Sequence, residues 1–300
     1  MFEARDRLIE SFGEVGLYFY DERLYSSNAE RSDIELIDFF LRKNSFKNFD
    51  ICLARPSQGA KRSIWNKYYD DKGNPHSAQC EIPIAANSNH LKLTFAFATE
   101  QERLNGDRDI LAAISGIRLM FGVSAARHLV LHSDFSRDEP YRGPFSEIGY
   151  ASFFDSQGFN RFQDPPLHEA KIVKIPKEAS LLLEKAFSQS YPEETFILMW
   201  LAFEAITQRF PGDNGGKKRE SFFKNELRSD VVNKEIIRLS KVRHSLFKKG
   251  IYSPYKIGDD CWSLYKAMQI ASLDECVQRQ KFVEGYELDL SVDSRDDTTA

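Results

Sequence analysis

Leu91, Leu93, Phe95 and Phe97 alternate with Lys92, Thr94 and Ala96. This two-residue period predicts a strand with one face buried. Residues 49–54 and 64–69 read as two further strands, residues 70–75 as a turn, and residues 78–84 as a returning strand. Two helices are predicted among them. One follows the capping box Ser32-Asp33-Ile34-Glu35 and runs through the apolar stretch 36–41. The other is capped by Asp107, carries the stripe Ile110, Ile114, Ile117 and Phe121, and closes at Gly122. Residues 133–166 are polar and rich in Pro and Gly, which predicts long loops. Residues 171–176 read as a short strand or a linker.

From residue 177 the period changes to the helical one. Helices are predicted over 179–188, from Pro192 through Phe210, over 221–227, over 231–249 and over 259–273, with a flexible loop at 211–216. The expected fold class is therefore α+β. An N-terminal mixed domain over 1–176 precedes an all-α bundle over 177–287. The Asp- and Ser-rich residues 288–300 are expected to be a disordered acidic tail.

Composition narrows the class. With 300 residues the chain can hold one large or two ordinary cores, and 24 Phe and 12 Tyr exclude a disordered chain. Its N-terminus has acids and no apolar h-region, so no signal peptide is expected. The longest apolar run, residues 196–205, is too short to cross a bilayer. Cys52, Cys80, Cys261 and Cys276 show no C-x-x-C spacing and read as reduced thiols. Together these predict a cytoplasmic protein with no membrane partner.

The candidate chemistry lies in the helical half. Net charge is −4, yet residues 217–249 hold eleven Lys or Arg against four acids. Such a run is either a solvated helix face or a surface for RNA, DNA or a nucleotide. Val232, Ile236, Leu239, Leu246 and Phe247 form one apolar stripe, and Arg243 falls within it. A buried charge is costly unless paired, so Arg243 needs a carboxylate, a phosphate or a wet cleft. Glu204, amid apolar residues on the helix from Pro192, is the natural partner, either as a structural ion pair or as a support that fixes the guanidinium for phosphate. Lys217, Lys218, Arg219, Lys241 and Lys249 are the candidate nucleic-acid contacts, and Arg243, His244 and Lys248 the candidate catalytic set. His128, His132 and Asp134 lack a zinc-protease spacing and are a weak metal candidate, so no metal or cofactor is assigned. Residues 214–218 lack the P-loop spacing, and no nucleophile motif is present.

Residues 196–206, the basic loop and helix after them, and Val242-Arg243-His244-Ser245-Leu246-Phe247-Lys248-Lys249-Gly250 resemble the HEPN superfamily, within it the Apea-like group. The resemblance covers roughly residues 177–275. It implies a HEPN-like helical bundle, a homodimer with motif helices facing each other, and a role in toxin–antitoxin or antiphage defence. Active members are metal-independent endoribonucleases with an arginine, a polar residue and a histidine four to six residues beyond. Arg243 and His244 match the first two. Lys248 stands near where the histidine belongs, and protonated lysine is a poor base. The resemblance thus implies RNA or nucleotide binding with ribonuclease activity weak or lost. The sequence also admits a non-catalytic interaction or scaffold protein, in which the Arg243–Glu204 pair is purely structural.

Overall fold

The structure is a computed structural model that describes residues 2–54, 61–70, 72, 74–83, 89–138, 167–189, 191–249 and 256–296. The chain forms two compact units. Residues 1–161 with 187–189 make one, and residues 162–186 with 190–300 make the other.

The first unit holds a four-stranded antiparallel sheet and a separate hairpin. Its elements are α1 (Phe2–Glu14), β1 (Phe19–Ser26), α2 (Arg31–Lys43), β2 (Phe49–Ala54), β3 (Lys61–Tyr69), β4 (Pro75–Pro83), β5 (His90–Phe97), α3 (Glu100–Phe121) and β6 (Leu129–Ser136). Strand order in the sheet is β2-β5-β1-β6, and β3 pairs with β4. The alternating segment is β5, and it lies inside the sheet between β2 and β1.

In this unit the strands β1 and β6 and the helix α1 are unannounced by the sequence pattern. β1 has Asp21, Glu22 and Arg23 in consecutive positions, which breaks the apolar alternation. The strand tolerates them because its charges are paired. Arg23 Nε donates to Asp21 at 3.0 Å and its Nη2 to Asp107 on α3 at 2.5 Å. β6 supplies His132, 3.1 Å from Asp21, and Asp134, 2.8 Å from Arg103 of α3. The opposite sheet face packs Tyr20, Ala96 and Phe135 with Leu17 against Ile9 and Phe12 of α1.

Two helix starts are corrected. Asp33 takes the N–H of Glu30 at 2.7 Å, so the cap of α2 lies two residues before the expected Ser32. Thr99, with Glu102, caps α3, and Asp107 is inside that helix. Gly122 does end α3, at φ 97°.

The second unit is helical: α4 (Lys177–Ala186), α5 (Pro192–Thr207), α6 (Gly215–Glu220), a π-helical turn (Ser221–Glu226), α7 (Asp230–Lys249), α8 (Ile257–Ser272) and α9 (Cys276–Asp296). An α+β sheet unit and a helical unit are thus the observed fold class. Pro192 occupies the first turn of α5, where a missing N–H costs nothing. α5 packs against α4 and α8. Its Phe196, Trp200 and Phe203 are fully buried and form a chain of ring contacts that reaches Phe223 of the π-helical turn.

Both expected boundaries move. Residues 167–175, expected in the first domain, join the helical unit, where Ile172 bridges Leu273 beyond α8. The expected tail from 288 begins inside α9. Phe282, Val283 and Tyr286 are buried, and Asp289 pairs with Lys266 at 2.5 Å. These contacts carry the helix through an Asp-rich sequence of low helix preference.

Candidate anion-binding site

Gly212, in the 211–216 loop, has φ +147°, and a Cβ there would meet the Lys218 amide nitrogen at 2.7 Å. Only glycine lets the loop fold this closely onto the start of α6. Asn214 Oδ1 then accepts from the Lys217 N–H at 3.0 Å and caps the helix. This loop, expected to be flexible, sets the position of α6 beside α7.

Arg219 on α6 is the buried member of the site, with its side chain 8 % exposed. Its guanidinium lies 5.1 Å over the Trp200 ring and 3.5 Å from Glu204 Oε1. Gly215 leaves room for it; a Cβ there would stand 3.1 Å from Nη1. Arg219 Nη1 is sealed from solvent and makes no hydrogen bond among the described residues. Burial pulls the Arg219 pKa below the ordinary guanidinium value; Glu204 opposes this and Arg243 reinforces it.

Glu204 Oε1 is shared. Trp200 Nε1 donates to it at 2.9 Å, and Arg243 Nη1 lies 3.9 Å away. The expected Glu204–Arg243 pair is present, but it is the outer and longer of two. The Arg243 side chain is 36 % exposed and also leans 5.7 Å over the Phe247 ring. Two guanidinium groups facing one carboxylate leave an excess positive charge.

That excess borders a cleft of about 390 Å³ between α6 and α7. From α6 come Lys217, Arg219 and Glu220. From α7 come Asn233, Ile236, Ile237, Ser240 and Lys241, spaced at three and four residues on one helix face. Glu220 Oε2 accepts from Lys217 at 2.8 Å. This bond, and the Lys217 charge with it, hold the Glu220 carboxyl below its usual range.

The candidate residues therefore divide. Lys217, Arg219 and Lys241 come together in the cleft. Lys218 turns away, with Nζ bound to the Gln208 carbonyl and side chain at 2.8 Å each. Arg243 belongs to the Glu204–Trp200 cluster. His244 and Lys248 are exposed and outside the described cleft lining, so the expected catalytic trio does not converge there. The apolar stripe is buried only through Leu239; Leu246 is half-buried and Phe247 is 53 % exposed. The Lys249 side chain and Gly250 lie outside the described residues. The His128, His132 and Asp134 set is dispersed into other roles, since His132 meets Asp21 and Asp134 meets Arg103. Asn233, Ser240, Ile236 and Ile237 went unnoticed as a lining, although their spacing with Lys241 was readable.

No family model, characterised protein or solved structure matches this chain. Among the described residues no helix is long and apolar enough to cross a membrane.

Proposed function

We propose that this protein binds RNA or a nucleotide through the α6–α7 cleft, with ribonuclease activity weak or lost. One observation carries the reading. Lys217, Lys241 and the buried Arg219, whose Nη1 already faces Glu204 at 3.5 Å, are gathered at one cleft. Cations held this close repel one another, and an anion in the cleft would offset that repulsion through charge-assisted hydrogen bonds. Chemistry is disfavoured by the same lining. It holds no histidine among the described residues, and Glu220, paired to Lys217, is a poor base. The resemblance to HEPN proteins adds a homodimer and a defence role to the proposal, and the cysteine spacing a cytoplasmic setting.

The test separates binding from cleavage. Anisotropy of a labelled single-stranded RNA should show salt-sensitive binding, and gels with chelator present should show intact RNA. Lys241→Glu, an exposed change, should weaken binding at least about tenfold. Absence of binding at low salt, or an unaffected Lys241→Glu protein, refutes the reading. The scaffold alternative would then stand, favoured by Glu204 Oε1, which joins Trp200 and both arginines and so ties α5, α6 and α7 together.

A further inference from the structure

We infer that the α6–α7 cleft takes the terminal phosphomonoester of a nucleotide, free or at an RNA end, in preference to the phosphodiesters within a strand. The inference rests on the anion-binding reading above and narrows its ligand.

Charge is the first argument. Lys217, Arg219 and Lys241 of the lining, with Arg243 beside Arg219, supply four positive charges, and Glu220 and Glu204 two negative ones, so the cleft and its border carry two in excess. A phosphomonoester carries about −1.5 to −2 near pH 7, whereas a phosphodiester carries one negative charge. The dianion matches the lining; the monoanion leaves positive charge confined around buried Arg219.

Size and shape are the second. Grooves for single strands track several nucleotides, roughly 4–16 per domain, with aromatic platforms along them. This cleft measures about 390 Å³, and its described lining contains no aromatic side chain. That volume falls in the range of sites for single small ligands, roughly 300–1,000 Å³.

Placement of groups is the third. The guanidinium of Arg219 is held between the Trp200 ring and Gly215 with Nη1 turned to Glu204, so its plane is fixed where the side chain lines the cleft. On α7, Asn233 and Ser240 offer groups for sugar hydroxyls. Ile236 and the half-exposed Ile237 form an apolar wall beside them. An apolar wall next to a cationic end fits a phosphate that carries a nucleoside, and not bare phosphate.

The test compares four probes on the full-length chain. A short RNA with a 5′-phosphate should bind at least about tenfold tighter than the same RNA with a 5′-hydroxyl, the difference expected of charge-assisted bonds to the added charge. Calorimetry should show adenosine 5′-monophosphate binding well above inorganic phosphate. Lys241→Gln should erase most of the 5′-phosphate preference with an unchanged melting temperature, which excludes a folding defect. The mononucleotide binding as tightly as the phosphorylated RNA would assign the site to free nucleotides; much tighter RNA binding would assign it to RNA ends. Equal affinity for the two RNAs, both reduced by Lys241→Gln, overturns the inference while leaving the RNA-binding reading intact. No binding of any probe overturns both.

Discussion

Glu204 Oε1 is close to three donors, and their burial ranks what each interaction is worth. Arg219 is almost fully buried, whereas Arg243 is 36 % exposed at 3.9 Å. Removing the carboxylate strands the buried charge, so Glu204→Gln should destabilise the helical unit by about 2–3 kcal/mol, read by chemical denaturation. Arg243→Gln should cost less than about 1 kcal/mol, because water already screens that pair. Equal losses for the two would show that Arg243 is the true partner. A second residue governs acid stability. Burial would raise the Asp21 pKa, but the His132 hydrogen bond and Arg23 outweigh it and lower it to about 2. A depressed carboxylate stabilises the fold above its unfolded value of 3.8, and the effect fades as pH falls through 2. Asp21→Asn should therefore cost about 2 kcal/mol at pH 6 and become nearly neutral at the acid end of that window.

At the scale of elements, the 211–216 loop and α7 decide what the site is. Gly212→Ala places a methyl against the backbone of α6 at an unfavourable φ. It should lower stability by about 1–3 kcal/mol and weaken RNA binding as α6 shifts. Restoring a histidine by Lys248→His completes the HEPN-type spacing on paper. No gain of cleavage is expected, because Lys248 and His244 both stand in solvent outside the described cleft lining. Metal-independent cleavage by that variant would move the chemistry to the end of α7. For α9, amides near Phe282, Val283 and Tyr286 should resist hydrogen exchange as strongly as those of α8, since all three side chains are buried.

For the whole molecule, net charge −4 opposes general polyanion binding, and the basic residues act only where the fold gathers them. Of the eleven basic residues counted over 217–249, three line the cleft. Lys218, Arg238 and Arg243 are engaged with Gln208, Glu235 and Glu204. Titrating single-stranded RNA binding with salt should therefore give a shallow log–log slope, no steeper than about −2, the limit of roughly 0.7 for each of the three cleft cations. A slope several times steeper would mean that the full basic run meets RNA.

Hydrophobic period alone was enough for β2, β5 and the helices α4, α5, α7 and α8, because their burial pattern repeats within a few residues. Pro192 and Gly122 were legible for the same reason: each acts through its own backbone. β1 and β6 were not legible, because Asp21, Arg23, His132 and Asp134 look solvated until cross-strand partners and α3 enclose them. The run of α9 past Leu288 was hidden likewise, since its anchors Tyr286 and Lys266 act across 23 residues and between helices. The sequence determined that Arg243 and Glu204 would meet, from two lone charges on apolar surfaces. Only the tertiary structure decided that Arg219 is the more buried partner and that Lys217 and Lys241 share a cleft with it. Burial and charge pairing between helices are set by distances in space, which local periodicity does not encode.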